Sequence, residues 1–305
     1  MSTEQLPPEQ AADTLRAAWD DMIASLQQAR DVIDQPQYAP PEASDRVLAE
    51  GYRYLSGFMH HAVERAFHED PARPAFRNAL SVYNKATIDN ADAIYFYAPI
   101  DGRKRYKVTA TLPDCRHWQG QARAEQGPLA PQYLIFEVTG GPIAGDTGDL
   151  RELMPGSRTG FGALDISQLQ IGDDNTLEIL LAPERPEGYT GNFFATRKPP
   201  SSRAPENGDR YATYISGRQL FYDWAREVPV PLTITALDDE GLPPAPLDSE
   251  HAAVKLRRMG EIVSGQMRFW QAFYDRLLNC HQRHDDGGRY YMPVNAYNQP
   301  NAASG

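Results

Sequence analysis

The sequence predicts an α+β protein: an antiparallel β-sandwich or jelly-roll core, with two helices before it and one long helix after it. Three observations carry that prediction. Apolar residues recur at intervals of three and four near both ends of the chain. From Ala79 to about Leu237 that period gives way to short apolar runs set between Gly, Pro, Asn and Asp. No segment between those runs has the length and period of the crossover helix that a parallel sheet needs. The corresponding segments are 1–75, helical; 76–240, the sandwich; and 241–305, a long helix with a polar tail.

The helices come first. From Pro8 to Ile33, Leu15, Trp19, Met22, Ile23 and Leu26 form one apolar stripe, and Gln35-Pro36 stops it. Ser44 is the expected N-cap of a second helix whose stripe is Leu48, Tyr52, Leu55, Met59, Ala62 and Ala66, ending before Asp70-Pro71. These two should pack on each other or on a sheet. The third and longest runs from Ser249 to about His284, with Leu256, Met259, Val263, Met267, Trp270, Tyr274 and Leu277 as its stripe.

The expected strands are Ala93–Pro99, Arg105–Leu112, Gln132–Thr139, Ala163–Leu169, Thr176–Ala182, Asn192–Thr196, Tyr211–Leu220 and Pro231–Leu237. The first two read as a hairpin. Ile94, Phe96 and Ala98 alternate with Tyr95 and Tyr97, and Asp101-Gly102 is a dipeptide suited to a tight turn with positive φ.

Composition removes several function classes. The net charge of −11 disfavours nucleic acid and anionic membranes as partners. No stretch has the ~20 apolar residues of a membrane span, and the start of the chain has no secretory-leader pattern, so a cytoplasmic setting is expected. Cys115 and Cys280 have no CxxC or metal-ligand company. No GxSxG, P-loop or GxGxxG is present, so no cofactor is expected.

Two clusters carry candidate chemistry. In the first, Asp89, Asn90 and Asp92 precede a strand bearing Tyr95 and Tyr97, and Asp101, Arg103, Arg105 and Tyr106 surround the turn. A carboxylate beside tyrosines and arginine suits acid–base work; the plainer reading is an Asx turn and a half-wet sheet face. In the second, Arg218, Tyr222, Asp223, Trp224 and Arg226 offer stacking platforms and an anion clamp; the plainer reading is a corner held by an Asp–Arg pair and a buried indole. His60, Glu64 and His68 share one side of the second helix, a weak metal pattern against ordinary ion-pair decoration. Cys115 beside Arg116 and His117 is an unspecific candidate thiol.

The order of motifs resembles a known family. DNAD before an aromatic strand, Asp101-Gly102, Arg105-Tyr106, Asp165, Asp173-Asp174, Glu184-Arg185-Pro186 with Gly191-Asn192-Phe193, and Asp223-Trp224 before Pro229 follow one another from about Asn78 to Leu237. This is similar to the bacterial domain-of-unknown-function family twelve-fourteen, which in related proteins accompanies a twelve-fifty-four domain. The resemblance implies β-sandwich domains with attached helices and, for some members, a catabolic setting or a sulfotransferase-like label. Members of that family continue into a further strand-rich stretch with an Asn-Trp-Leu-Asp motif, which this sequence lacks; any part of a site made there is expected to be missing.

The leading expectation is an enzyme of hydrolase or lyase type acting on a small organic molecule. Asp92 would be its acid–base group, Tyr95 or Tyr97 a proton donor, Arg105 or Arg218 an anion clamp and Trp224 a stacking surface, with Asn90, Tyr106, Tyr222, Asp223 and Arg226 as further ligand contacts. The rival is a non-catalytic module binding a carbohydrate or an aromatic or steroid-like ligand. A third reading is an assembly subunit, a homodimer through the C-terminal helix.

Overall fold

The computed structural model of the protein describes residues 7–33, 35, 44–86, 90–154, 157–200 and 208–279, with the backbone alone for 274–279. Its architecture is the expected α+β one. Helices Pro8–Asp31 (α1) and Asp45–His68 (α2) precede the strands, and Ser249–Asn279 (α3) follows them. Ser44 caps α2 as expected, its Oγ accepting from the Val47 amide at 3.3 Å.

Eight strands carry the sandwich and overlap the expected runs, the one expected at Ala163–Leu169 lying four residues earlier: Ala93–Pro99 (β2), Tyr106–Thr111 (β3), Tyr133–Gly140 (β4), Thr159–Asp165 (β5), Thr176–Ala182 (β6), Asn192–Ala195 (β7), Tyr214–Leu220 (β10) and Thr233–Ala236 (β11). Three two-residue strands join them: Arg77–Asn78 (β1), Arg197–Lys198 (β8) and Arg210–Tyr211 (β9). One sheet has the order β1-β2-β10-β4-β5, the other β11-β3-β6-β7, and β8 with β9 forms a separate ribbon. The pairings are antiparallel except β6 with β7, which run parallel. Alternate residues from both sheets fill one core. Phe96, Leu134, Phe136 and Ile215 from the first sheet meet Tyr106, Val108, Ile179, Leu181 and Ile234 from the second.

The expected hairpin is instead an arch. β2 pairs with β1 and β10, whereas β3 pairs with β11 and β6, so the two strands lie in different sheets. Neither Asp101 nor Gly102 has positive φ. Glycine serves here for close approach: a Cβ on Gly102 would lie 2.5 Å from the Ala212 amide nitrogen and 2.8 Å from the Thr196 carbonyl. The Gly102 amide donates to Ala212 O and the Ile100 amide to Thr213 O, each at 2.9 Å, which holds the arch against the entry to β10.

The helical layer also departs from expectation. α1 and α2 scarcely touch; each packs along α3, so the first helices of the chain are held by the last. Ala29 and Val32, Leu55, Phe58 and Ala62, and Ile262, Val263 and Met267 form one apolar cluster among the three elements. The α1–α3 crossing is tight: a Cβ on Gly260 would stand 3.0 Å from Met22 Cα. Small residues therefore face the contact, and the buried positions of α1 are Ala18, Met22 and Ala29, while Trp19 is half exposed. On α2 the stripe is likewise rotated. Leu55, Ala62 and Ala66 are buried with Phe58, His61 and Arg65, but Leu48, Tyr52 and Met59 are exposed. Within α3, Val263, Met267 and Phe269 are buried within this chain. Tyr274 and Leu277 have no described side chains, and Asp89, Cys280 and the polar tail lie outside the described residues.

Candidate functional site

The first sheet turns its second face away from the sandwich core. On β4 the alternation buries Leu134, Phe136 and Val138 inward and leaves Tyr133, Ile135, Glu137 and Thr139 on the other face. On β10 the same period directs Tyr214, Ser216 and Arg218 to that face, and on β2 Tyr95 and Tyr97. Register aligns them in rows. Ser216 stands opposite Tyr97 and Glu137, Arg218 opposite Tyr95 and Ile135, and Tyr214 opposite Thr139.

A cavity of about 620 Å³ opens on this face, within the range of small-molecule sites. Tyr97, Glu137, Ser216 and Arg218 form its floor; His61 of α2 and Ile143 of the loop after β4 are walls, with Arg158, Phe161 and Lys198 at one end. The Arg158 guanidinium hydrogen-bonds the Tyr214 hydroxyl, and Lys198 Nζ donates to the Gly160 carbonyl. The Arg218 guanidinium carbon is 5.6 Å from the Tyr95 ring centroid. No carboxylate among the described residues comes within 4 Å of Arg158, Lys198 or Arg218, and Glu137 has no cation at that distance. Four charged groups thus face one cavity without ion-pair partners.

Beside it lies a second cavity of about 300 Å³ that shares Tyr97, Ile143 and Tyr214. Its charges compensate one another. Arg65 makes a two-pronged contact with Asp146, at 2.7 Å through Nη2; Arg258 reaches Asp146 Oδ2 at 3.0 Å; and Gln266 Nε2 donates to Ala144 O at 2.8 Å. The Tyr97 hydroxyl donates to Glu69 Oε1 at 2.6 Å. Burial is the main reason that the Glu69 carboxyl is pushed up from its ordinary range, and that the Tyr97 phenol is pushed far above its own. Burial also holds His61 down at about 4, with the Arg65 charge adding to the effect, so the imidazole is neutral at pH 7.

Of the residues read from sequence, Tyr97 and Arg218 line the larger cavity. Tyr97 is no free proton donor, because its proton is already given to Glu69. Tyr95 stands beside Arg218 in the next register position. Asp92 and Trp224 are brought together, indole Nε1 donating to Asp92 Oδ1 at 3.1 Å, but at the rim of the sheet, and neither lines the two cavities. That contact closes a corner, with Trp224 stacked on Phe221 at 4.0 Å and half exposed. Asn90 makes an Asx turn, its Oδ1 accepting from the Asp92 amide.

The remaining assignments are corrected by what the side chains touch. Tyr106 is fully buried in the sandwich core, donating to Pro71 O and accepting from the Asp101 amide. Arg105, on the other sheet's side, is paired with Asp238 at 2.6 Å. Tyr222 is 80% exposed, Asp223 accepts from the Ala225 amide in a turn, and Arg226 donates to the Ala124 carbonyl, so no Asp–Arg pair forms. His60 stands exposed near Tyr83; Glu64 is taken by Arg77 at 2.6 Å, whose Nη2 also binds the His68 carbonyl. No group of three potential metal ligands occurs among the described residues. Cys115 is buried, and burial raises its thiol, the opposite of an activated nucleophile.

No family model matches the sequence, and no curated protein matches it. The chain is similar to a crystallographically solved protein from Burkholderia cenocepacia, described only as uncharacterized: 27% identity, TM-score 0.65, over 85% of this chain and 60% of that one. The chain thus spans about three-fifths of that bacterial neighbour's length. The likeness covers the α+β fold described above and names no activity. No helix among the described residues is long and apolar enough to cross a membrane.

Sequence reading missed His61, Glu137, Arg158, Lys198, Tyr214 and Ser216. One signal was available. Glu137 interrupts the run Tyr-Leu-Ile-Phe-Glu-Val at a position whose alternation points away from the core. Arg158 and Lys198 flank loops, where no period marks direction.

Proposed function

We propose that the protein is an enzyme of hydrolase or lyase type that takes a small organic acid into the larger cavity, with Glu137 as its acid–base group. The observation that supports this is that Glu137, Arg158, Lys198 and Arg218 face one hollow with no ion-pair partner among the described residues. In a chain of net charge −11, charged side chains ordinarily find partners; here four converge on open space. A carboxylate in that position removes a proton from water or from a carbon acid, and the guanidinium and ammonium groups bear the negative charge that develops. Tyr97, fixed by Glu69, shapes the floor.

Incubating the whole chain with a panel of small carboxylic esters, amides and hydroxy acids, read by mass spectrometry, tests this. A turned-over compound should be lost with Glu137→Gln by about a hundredfold or more in rate, with its affinity changed only a few-fold. A compound retained but recovered unaltered would instead establish the second reading, a binding module. Phe161, Ile143 and the Tyr214 ring supply the apolar wall that favours it.

A reducing, cytoplasmic setting belongs to the same proposal; the buried Cys115 and its distance in sequence from Cys280 support it. So does membership of the twelve-fourteen family, on the order of the motifs given above. A homodimer would need a surface other than the buried stripe of α3, and light scattering on the whole chain would detect one.

A further inference from the structure

Resting on that reading, we infer that the cavity selects an elongated dianion, a molecule with an acidic group at each end and a neutral polar group between them. The argument comes from register. Tyr214, Ser216 and Arg218 are alternate residues of β10, so the first and last Cα atoms stand about 13 Å apart at the usual strand rise. Each heads a row across the sheet.

The Tyr214 row continues to Thr139 and Gly160, and its cations are Arg158, bonded to the Tyr214 hydroxyl, and Lys198, bonded to the Gly160 carbonyl. The Ser216 row holds Glu137 on one side and Tyr97 on the other. The Arg218 row carries the second cationic pole, and Arg218 leans over Tyr95 of β2, whereas Arg158 lies over Tyr214. Cations thus stand at both ends of the cavity, with the one carboxylate between them.

Charge points the same way. Among the described lining residues, three cations stand against one carboxylate, which leaves two positive charges uncompensated, and the His61 imidazole adds none because it is neutral. A single acidic group would satisfy one pole and leave the other facing Glu137 across the cavity. Two acidic groups satisfy both, with a hydroxyl or amide in the middle to meet Ser216 and Glu137. Carboxylate and phosphate are equivalent here in charge, and the guanidinium binds either bidentately.

Calorimetric titration of the whole chain is the test. The probes are straight-chain dicarboxylates from succinate to suberate, the phosphonocarboxylates of matching length, and the monocarboxylates of the same lengths. A diacid of the fitting length should bind about tenfold or more tighter than its monoacid, one charge-assisted contact being worth that much. Arg218→Gln should erase that advantage, while Arg218→Lys restores part of it. Lys198→Met should weaken mono- and diacid alike. A phosphonocarboxylate preferred over the dicarboxylate identifies a phosphate at one pole. Equal binding of mono- and diacids, with Arg218→Gln moving neither, overturns the two-pole arrangement and leaves the acid-binding cavity standing. Binding of no acid at all overturns both.

Discussion

His61 is a base kept from its proton. It is buried between α2 and the first sheet, 6.4 Å from the Tyr97 ring, and the Arg65 charge lies close by on the same helix. Its pKa falls from an ordinary 6.5 to about 4 in the folded state. The unfolded chain therefore binds a proton that the folded chain refuses as pH drops through that interval, and stability is lost on acidification from about 6.5 down to about 4. The full difference is roughly 3 kcal/mol. Glu69, raised by burial, works in the opposite sense at the acid end. Urea unfolding at pH 7 and pH 4.5 should show His61→Gln losing less stability between the two than the native chain; parallel losses would refute the assignment. None of this was legible in sequence, because His61 sits one residue from His60, and only tertiary packing separates a buried imidazole from an exposed one.

At the scale of elements, the loop after β4 is pinned to two helices by one carboxylate. Asp146 accepts from Arg65 of α2 and Arg258 of α3, and the side chains of Asp146 and Arg65 are 5% and 6% exposed. Asp146→Asn would leave the buried Arg65 charge with only Glu69, 3.5 Å from its Nε, and should cost about 3 kcal/mol in chemical denaturation. Arg258→Gln should cost far less, because that cation is 40% exposed and solvent screens it. Equal effects would mean that the carboxylate is not what secures the loop. The strands themselves were readable from short apolar runs, down to Thr176–Ala182 with no error at either end. Their partners were not. Asp101-Gly102 carries the letters of a tight hairpin turn, yet the demand for a small residue there comes from Ala212 and Thr196, more than ninety positions away in the chain. Local preference is silent on that crowding. The helix stripes slipped for a related reason: sequence marks where bulk recurs, whereas the α1–α3 crossing selects for its absence, at Ala18, Ala29 and Gly260.

At the scale of the molecule, α+β class and element order followed from the change of period alone, whereas the site depends on which face of one sheet the helices cover. Tyr97 and Arg218 were legible as polar members of strands; Glu137 and Lys198 join them only through strand order β2-β10-β4-β5 and the β8–β9 ribbon. The helical layer also depends on α3. A chain ended after Leu247 should lose the packing partner of both α1 and α2, and limited proteolysis should then cut within residues 8–68 while the sandwich core resists. Uncut α1 in that shortened chain would show that the N-terminal helices hold on without α3.

The bond between Arg257 and Asp21 joins residues 236 positions apart. During synthesis α1 and α2 leave the ribosome before α3 and wait with their apolar sides uncovered until it has been made. The sandwich can close in the meantime, since its strands lie between them. Assembly is therefore a two-act process in which α1 and α2 find their place only after the strands between them and α3 have been made, and the waiting interval is when a chaperone would have most to bind.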